Sequence, residues 1–172
     1  AVSFGKRLAD LAAQHPERAA ILVIGEQGDE TQITWLELEQ RANQVARRFG
    51  EAGVCRRAIV AVALPNSIEH FVATFAAWKV GATVLPLRWA LPDRERDLVL
   101  ETARPALVVT EWSGIAFPTL SSVELADASA YSCEPLPDVV PQPGFAIGSG
   151  GSTGRPKIIV NPAPMARVPD DP

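Results

Sequence analysis

Residues 58–65 read AIVAVALP, eight positions without a charge or a polar side chain. A strand that meets water on one face alternates apolar and polar residues; a continuous apolar run belongs to a strand covered on both faces, as in parallel sheets. ATVLPL (82–87) reads as another buried strand, and PALVVTE (105–111) as a third strand. Between the first two lies Asn66 to Gly81, where Ile68, Phe71, Val72 and Phe75 recur at helical spacing. Between the second pair lies the charge-rich stretch from Pro92 to Ala103, a third helix. Strand–helix–strand–helix–strand at this spacing predicts an α/β fold, a mostly parallel sheet flanked by helices.

The flanks add to this frame. Ser3 can cap a short helix carrying Phe4, Leu8, Leu11 and Ala12, which His15-Pro16 ends. AAILVIG (19–25) and TQIT (31–34) read as a strand pair around the turn EQGDE. Thr34 and Glu37 stand at capping-box spacing, with Ile33 and Leu38 placed as a hydrophobic staple. The helix they start buries Leu38, Ala42, Val45 and Phe49 and stops near Gly50 to Gly53. Asn66 and Glu69 have the same spacing before the next helix. Residues 112–144 hold many Ser, Pro and Ala and little periodicity, so they read as a surface segment ending at PQPG. FAIGSG (145–150) and KIIVNP (157–162) then read as strands on either side of a glycine loop.

Composition narrows the function classes. The 172 residues suffice for one domain with a sizeable core. The net charge of −4 and the scattered basic residues argue against nucleic acid, whose binders carry a basic stripe. No apolar run approaches the roughly 20 residues a membrane span needs. Cys55 and Cys133 share no ligand-like spacing with each other or with His15 and His70, so no metal site is expected and the thiols read as buried or incidental. Cys usage makes a reducing cytoplasm the default.

The loop GSGGSTGRPK (148–157) is where chemistry concentrates. It fails the Walker pattern, since Pro156 precedes Lys157 and Ile158 follows it, and it fails the dinucleotide fingerprint, since Thr153 takes the place of the third glycine. Both of those loops open a helix; Ile158-Ile159-Val160 favours a strand. Anion binding here would rest on Gly150, Gly151 and Gly154, whose backbone can turn successive N–H groups into one concavity. Ser149, Ser152 and Thr153 add hydroxyls, Lys157 adds a positive charge, and Pro156 stiffens the approach. Gly, Ser and Pro also cluster in ordinary turns, but hydroxyls, third glycine and Pro-Lys at these offsets between two strands favour a held polyphosphate.

SGGSTGRPK (149–157) resembles the phosphate-binding signature of the adenylate-forming superfamily, which includes acyl-CoA synthetases, luciferases and peptide-synthetase adenylation domains. ITWLELEQRANQVARRF, RAIVAVALPNSIEHFVATFAAWKVGATVLPL and PDRERDLVLETARPALVV resemble the upstream segments of that group in the same order, so the resemblance covers about residues 3 to 160. It implies ATP held at its phosphates by Ser149, Gly150, Gly151, Ser152, Thr153, Gly154 and Lys157, with Mg2+ assisting. Gly150 stands where Ser is commonest and Ile158 where Gly is usual, which points toward the acyl-CoA synthetases and a fatty, aromatic or bulky carboxylic acid, with coenzyme A as acceptor. The family's remaining motifs follow the loop and are absent. The resemblance therefore implies an N-terminal subdomain over 1–160, a truncated proline-rich tail over 161–172, no catalytic residue within these 172, and no adenylation by them without the downstream half. Two rivals remain: an adenylation domain that loads a carrier protein, and a stand-alone nucleotide-binding or interaction module. Self-association is open.

Other conspicuous residues read as structural. Trp35 and Trp78 fit the core; Trp89 and Trp112 have no assigned place. Arg88, Arg94 and Arg96 near Asp93, Glu95 and Asp97 read as a solvated face.

Overall fold

The computed structural model describes residues 1–25, 27–149 and 156–167. The elements in chain order are β1 (Val2–Ser3), α1 (Phe4–Gln14), β2 (Ala19–Ile24), β3 (Glu30–Thr34), α2 (Trp35–Glu51), β4 (Ile59–Ala63), α3 (Ile68–Lys79), β5 (Thr83–Pro86), α4 (Asp93–Ala103) and β6 (Leu107–Thr110). Then come β7 (Thr119–Leu120), α5 (Ser122–Ala126), a 3-10 turn (Asp127–Ala130), β8 (Phe145–Ser149), β9 (Lys157–Asn161) and β10 (Ala166–Arg167).

Six strands form the main sheet in the order β7-β6-β4-β5-β8-β9; every neighbouring pair is parallel except β8 with β9. The apolar runs become β4, β5 and β6, and their alternate residues part to opposite faces. Val60, Val62, Leu107 and Val109 join one core with Leu38, Val45 and Phe49 of α2 and Val72 and Ala76 of α3. Ala61 and Val108 face Val99 and Leu100 of α4 on the other side. The connections leaving β4 and β5 thus pass to opposite faces, which leaves a crevice at the carboxyl ends of the strands, where open α/β sheets bind ligands.

Local chemistry sets the element ends. At α2 the Thr34 hydroxyl accepts from the Glu37 N–H at 3.2 Å and the Glu37 carboxylate accepts from the Thr34 N–H at 2.9 Å, the capping box expected. The Thr34 backbone N–H, then the Thr34 hydroxyl, hold the Glu37 carboxyl below its ordinary value. At α3 the expected Asn66–Glu69 box does not form. Ser67 caps instead, its hydroxyl accepting from the His70 N–H at 3.2 Å, while Glu69 turns to Arg41 at 3.1 Å.

Residues 112–144 hold more order than their composition suggests. β7 extends the sheet beside β6, and Ser121 and Glu124 form a second capping box that starts α5. The proline-rich end also returns to the body: Ala166–Arg167 pairs antiparallel with Val2–Ser3. Met165 lies over Gly144 so closely that a Cβ there would fall 1.8 Å from the Met165 Cγ.

Candidate functional site

β8 and β9 are an antiparallel pair in which Ser149 lies opposite Lys157, Gly148 opposite Ile158 and Ile147 opposite Ile159. Directly opposed residues project to the same face, and successive residues alternate. Ile158 packs against the core under α4, and a Cβ on Gly148 would stand 3.4 Å from the Val99 Cγ2 of α4. Ser149 and Lys157 therefore belong to the opposite face, with Ile147 and Ile159. Of the seven residues expected to hold phosphates, the structure brings these two together as cross-strand neighbours at the ends of the hairpin. Gly150, Gly151, Ser152, Thr153 and Gly154 lie outside the described residues.

Lys157 is exposed and Ser149 half-buried. A hydroxyl and an ammonium on neighbouring strands at the carboxyl end of a parallel strand fit an anion, because both can donate to it and both are open to solvent at least in part. Among the described residues no group of three or more His, Cys, Asp or Glu is placed to hold a metal ion. On the same face, at the foot of β8, an apolar cavity of about 490 Å3 lies between Trp35, Phe71, Phe75, Trp78 and Phe145, with His70 at its wall. Burial holds the His70 imidazole below its ordinary value, outweighing the Leu64 carbonyl near Nδ1 at 3.4 Å.

The α4 face carries a second cavity of about 420 Å3 at the carboxyl ends of β5 and β8. Arg88, Leu91, Glu95 and Val99 form one wall, and Gly148, Ser149 and Pro156 the other. The arginines around it differ from a uniform solvated face. Arg96 is buried, paired with Asp93 and Asp97 at 2.9 Å each, its guanidinium 5.8 Å from the Trp112 ring centre. Arg88 is exposed and pairs with no carboxylate among the described residues. Spacing alone could not separate them; the signal available was that Arg88 closes the apolar run of β5, at a sheet's ligand-binding edge. Trp35 and Trp78 pack against the core as expected. Cys55 and Cys133 are free and exposed rather than buried. Among the described residues no helix is long and apolar enough to cross a membrane.

The family model of the AMP-binding enzymes matches residues 8–162. The chain belongs to that family. As a member of the AMP-binding enzymes it is similar to a glycine betaine reductase of Emericella nidulans, 35% identical over 155 residues, covering 84% of this chain and 12% of the relative. It is similar also to a dimodular nonribosomal peptide synthase of Bacillus subtilis, 32% identical over 157 residues, covering 84% of this chain and 6% of that one. The fold matches the N-terminal subdomain of NpsA from Klebsiella oxytoca in complex with 3-hydroxybenzoyl-AMSN at a TM-score of 0.78 and 22% identity, over 93% of this chain and 41% of that one. The chain thus spans about an eighth or less of these two curated relatives' lengths.

Proposed function

We propose that the protein carrying this chain adenylates a carboxylic acid and passes the acyl group to the thiol of a carrier protein. In the first step a carboxylate oxygen bonds to the α-phosphorus of ATP and pyrophosphate leaves. In the second the thiol sulfur bonds to the acyl carbon, the bond from that carbon to AMP breaks, and the thiol proton is released. The pairing of Ser149 with Lys157 across the glycine loop carries the reading. Charge grows on the leaving pyrophosphate, and a fixed ammonium with hydroxyl and N–H donors around it lowers that barrier most where the charge develops. Gly150, Gly151, Ser152, Thr153 and Gly154 would complete the cradle, and Mg2+ would arrive with the triphosphate.

Similarity to a peptide synthase supports a carrier protein as acceptor. A second reading, with coenzyme A as acceptor, draws on Gly150 and Ile158, the two departures of the loop from the family's usual pattern. The test is to form the acyl-adenylate with the full protein, ATP and a panel of acids, then add a phosphopantetheinylated carrier protein or coenzyme A. Thioester on the carrier is the expected product. Thioester on coenzyme A would favour the second reading, and no acyl-adenylate with any acid would overturn both.

A further inference from the structure

We propose that the amino edge of the main sheet docks an acidic segment of a partner protein on a row of arginines, Arg56, Arg57 and Arg104. This edge lies at the opposite end of the parallel strands from the Ser149–Lys157 corner, so the inference is independent of the acyl-transfer reading.

Two of these arginines stand where the backbone asks for glycine. Cys55 to Ala58 is a turn closed by the Ala58 N–H on the Cys55 carbonyl at 3.1 Å, and its third residue, Arg57, has a φ of 66°. Turns of this kind take Gly or Asn at that position, because a Cβ crowds the backbone in the left-handed region. Arg104 follows α4 with φ 47° and ψ 58°, its N–H on the Leu100 carbonyl at 2.8 Å. That is the left-handed cap at which helices mostly use Gly. Arg57 and Arg104 are the non-glycine residues of positive φ among the described residues. Each costs folding free energy relative to glycine, and the same residue type breaks the local rule at both places. A rule broken twice in this way points to a use for the side chain outside the fold.

Strand register brings them together. Val60 pairs with Leu107 in the parallel ladder of β4 and β6, and Arg57 and Arg104 each stand three residues before that pair, at one level of the sheet. Arg56 lies over the entry to β5, the neighbour of β4 on its other side, where a Cβ on Gly81 would fall 3.0 Å from the Arg56 Cγ. The row thus crosses adjacent strands, each about 4.8 Å from the next. All three arginines are exposed, and no carboxylate of the described residues lies within ion-pair distance of them, Glu101 one turn back on α4 included.

The row decides the occupant. Guanidinium groups match carboxylates through two parallel hydrogen bonds, and a row of them matches successive carboxylates along a peptide segment better than one compact anion. The chain's net charge of −4 repels a long polyanion such as nucleic acid. A short acidic segment feels mainly the charges within about 8 Å, the screening length at physiological salt.

Fluorescence anisotropy of the full protein tests this, with a labelled oligoglutamate peptide, the matched oligoglutamine peptide and an oligothymidylate strand as probes. Oligoglutamate should bind, and oligoglutamine should not. Arg57→Gly and Arg104→Gly should each raise the oligoglutamate Kd about tenfold. Both should hold or raise the unfolding midpoint, because glycine relieves the positive φ. Arg57→Lys should retain part of the binding. An unchanged Kd in the double glycine variant, or a loss of binding matched by a fall in the unfolding midpoint, would overturn the inference. Oligothymidylate bound as tightly as oligoglutamate would overturn the choice of a protein partner.

Discussion

Lys79 and Glu39 are 8% and 6% exposed, and the ammonium lies 2.9 Å from one carboxylate oxygen and 2.8 Å from the other. Asn43 adds an N–H to the same carboxylate at 3.0 Å and a second to the Cys133 carbonyl at 2.9 Å, tying α2 and α3 to the long segment after the 3-10 turn. Removing one charge strands the other in the core. Lys79→Met should lower the unfolding free energy by about 3–5 kcal/mol, and adding Glu39→Gln should restore part of it, as chemical denaturation would read. Nothing in the sequence distinguishes these two from surface charges, because their partners lie 40 residues apart. His70 gives a second check. Its folded-state value lies below 6.5, so the unfolded chain binds the proton more readily, and its contribution to stability is present above 6.5 and lost as pH falls through it. Urea midpoints should drop from about pH 7 to about pH 5, and His70→Gln should flatten part of that slope.

At the scale of elements, cap chemistry is local and was largely legible. The Thr34–Glu37 box is written in adjacent residues and appears as expected. The start of α3 moved by one residue because Asn66 and Ser67 both can cap, and Arg41, 28 positions away, draws Glu69 aside. Ser67→Ala should therefore cost about 1 kcal/mol and Asn66→Ala much less, a difference that thermal unfolding of the two variants would show. Ser121 to Glu124 carries the same signal, but the five-residue helix it starts is too short to show a hydrophobic period. The hairpin β8–β9 was readable from its β-branched run, whereas the face its side chains occupy depends on α4 packing over Gly148 and Ile158.

At the scale of the whole molecule, three apolar strands with intervening helices were enough to foresee a parallel sheet, because burial on both faces leaves a continuous apolar record. The glycine loop and its flanking strands are legible locally, but the face that Ser149 and Lys157 take is set by strand register and by α4 packing over Gly148 and Ile158, which no local stretch encodes. The expectation of coenzyme A as acceptor drew on two loop residues alone, while the similarity to a peptide synthase draws on most of the chain. The central claim is that the Ser149–Lys157 corner stabilises a departing pyrophosphate. Carboxylate-dependent exchange of pyrophosphate into ATP, measured on the full protein and its Lys157→Ala variant, tests it most directly. The account predicts exchange that falls about 100-fold or more in the variant with an unchanged unfolding midpoint. Exchange at the wild-type rate in Lys157→Ala, or a loss matched by unfolding, would contradict it.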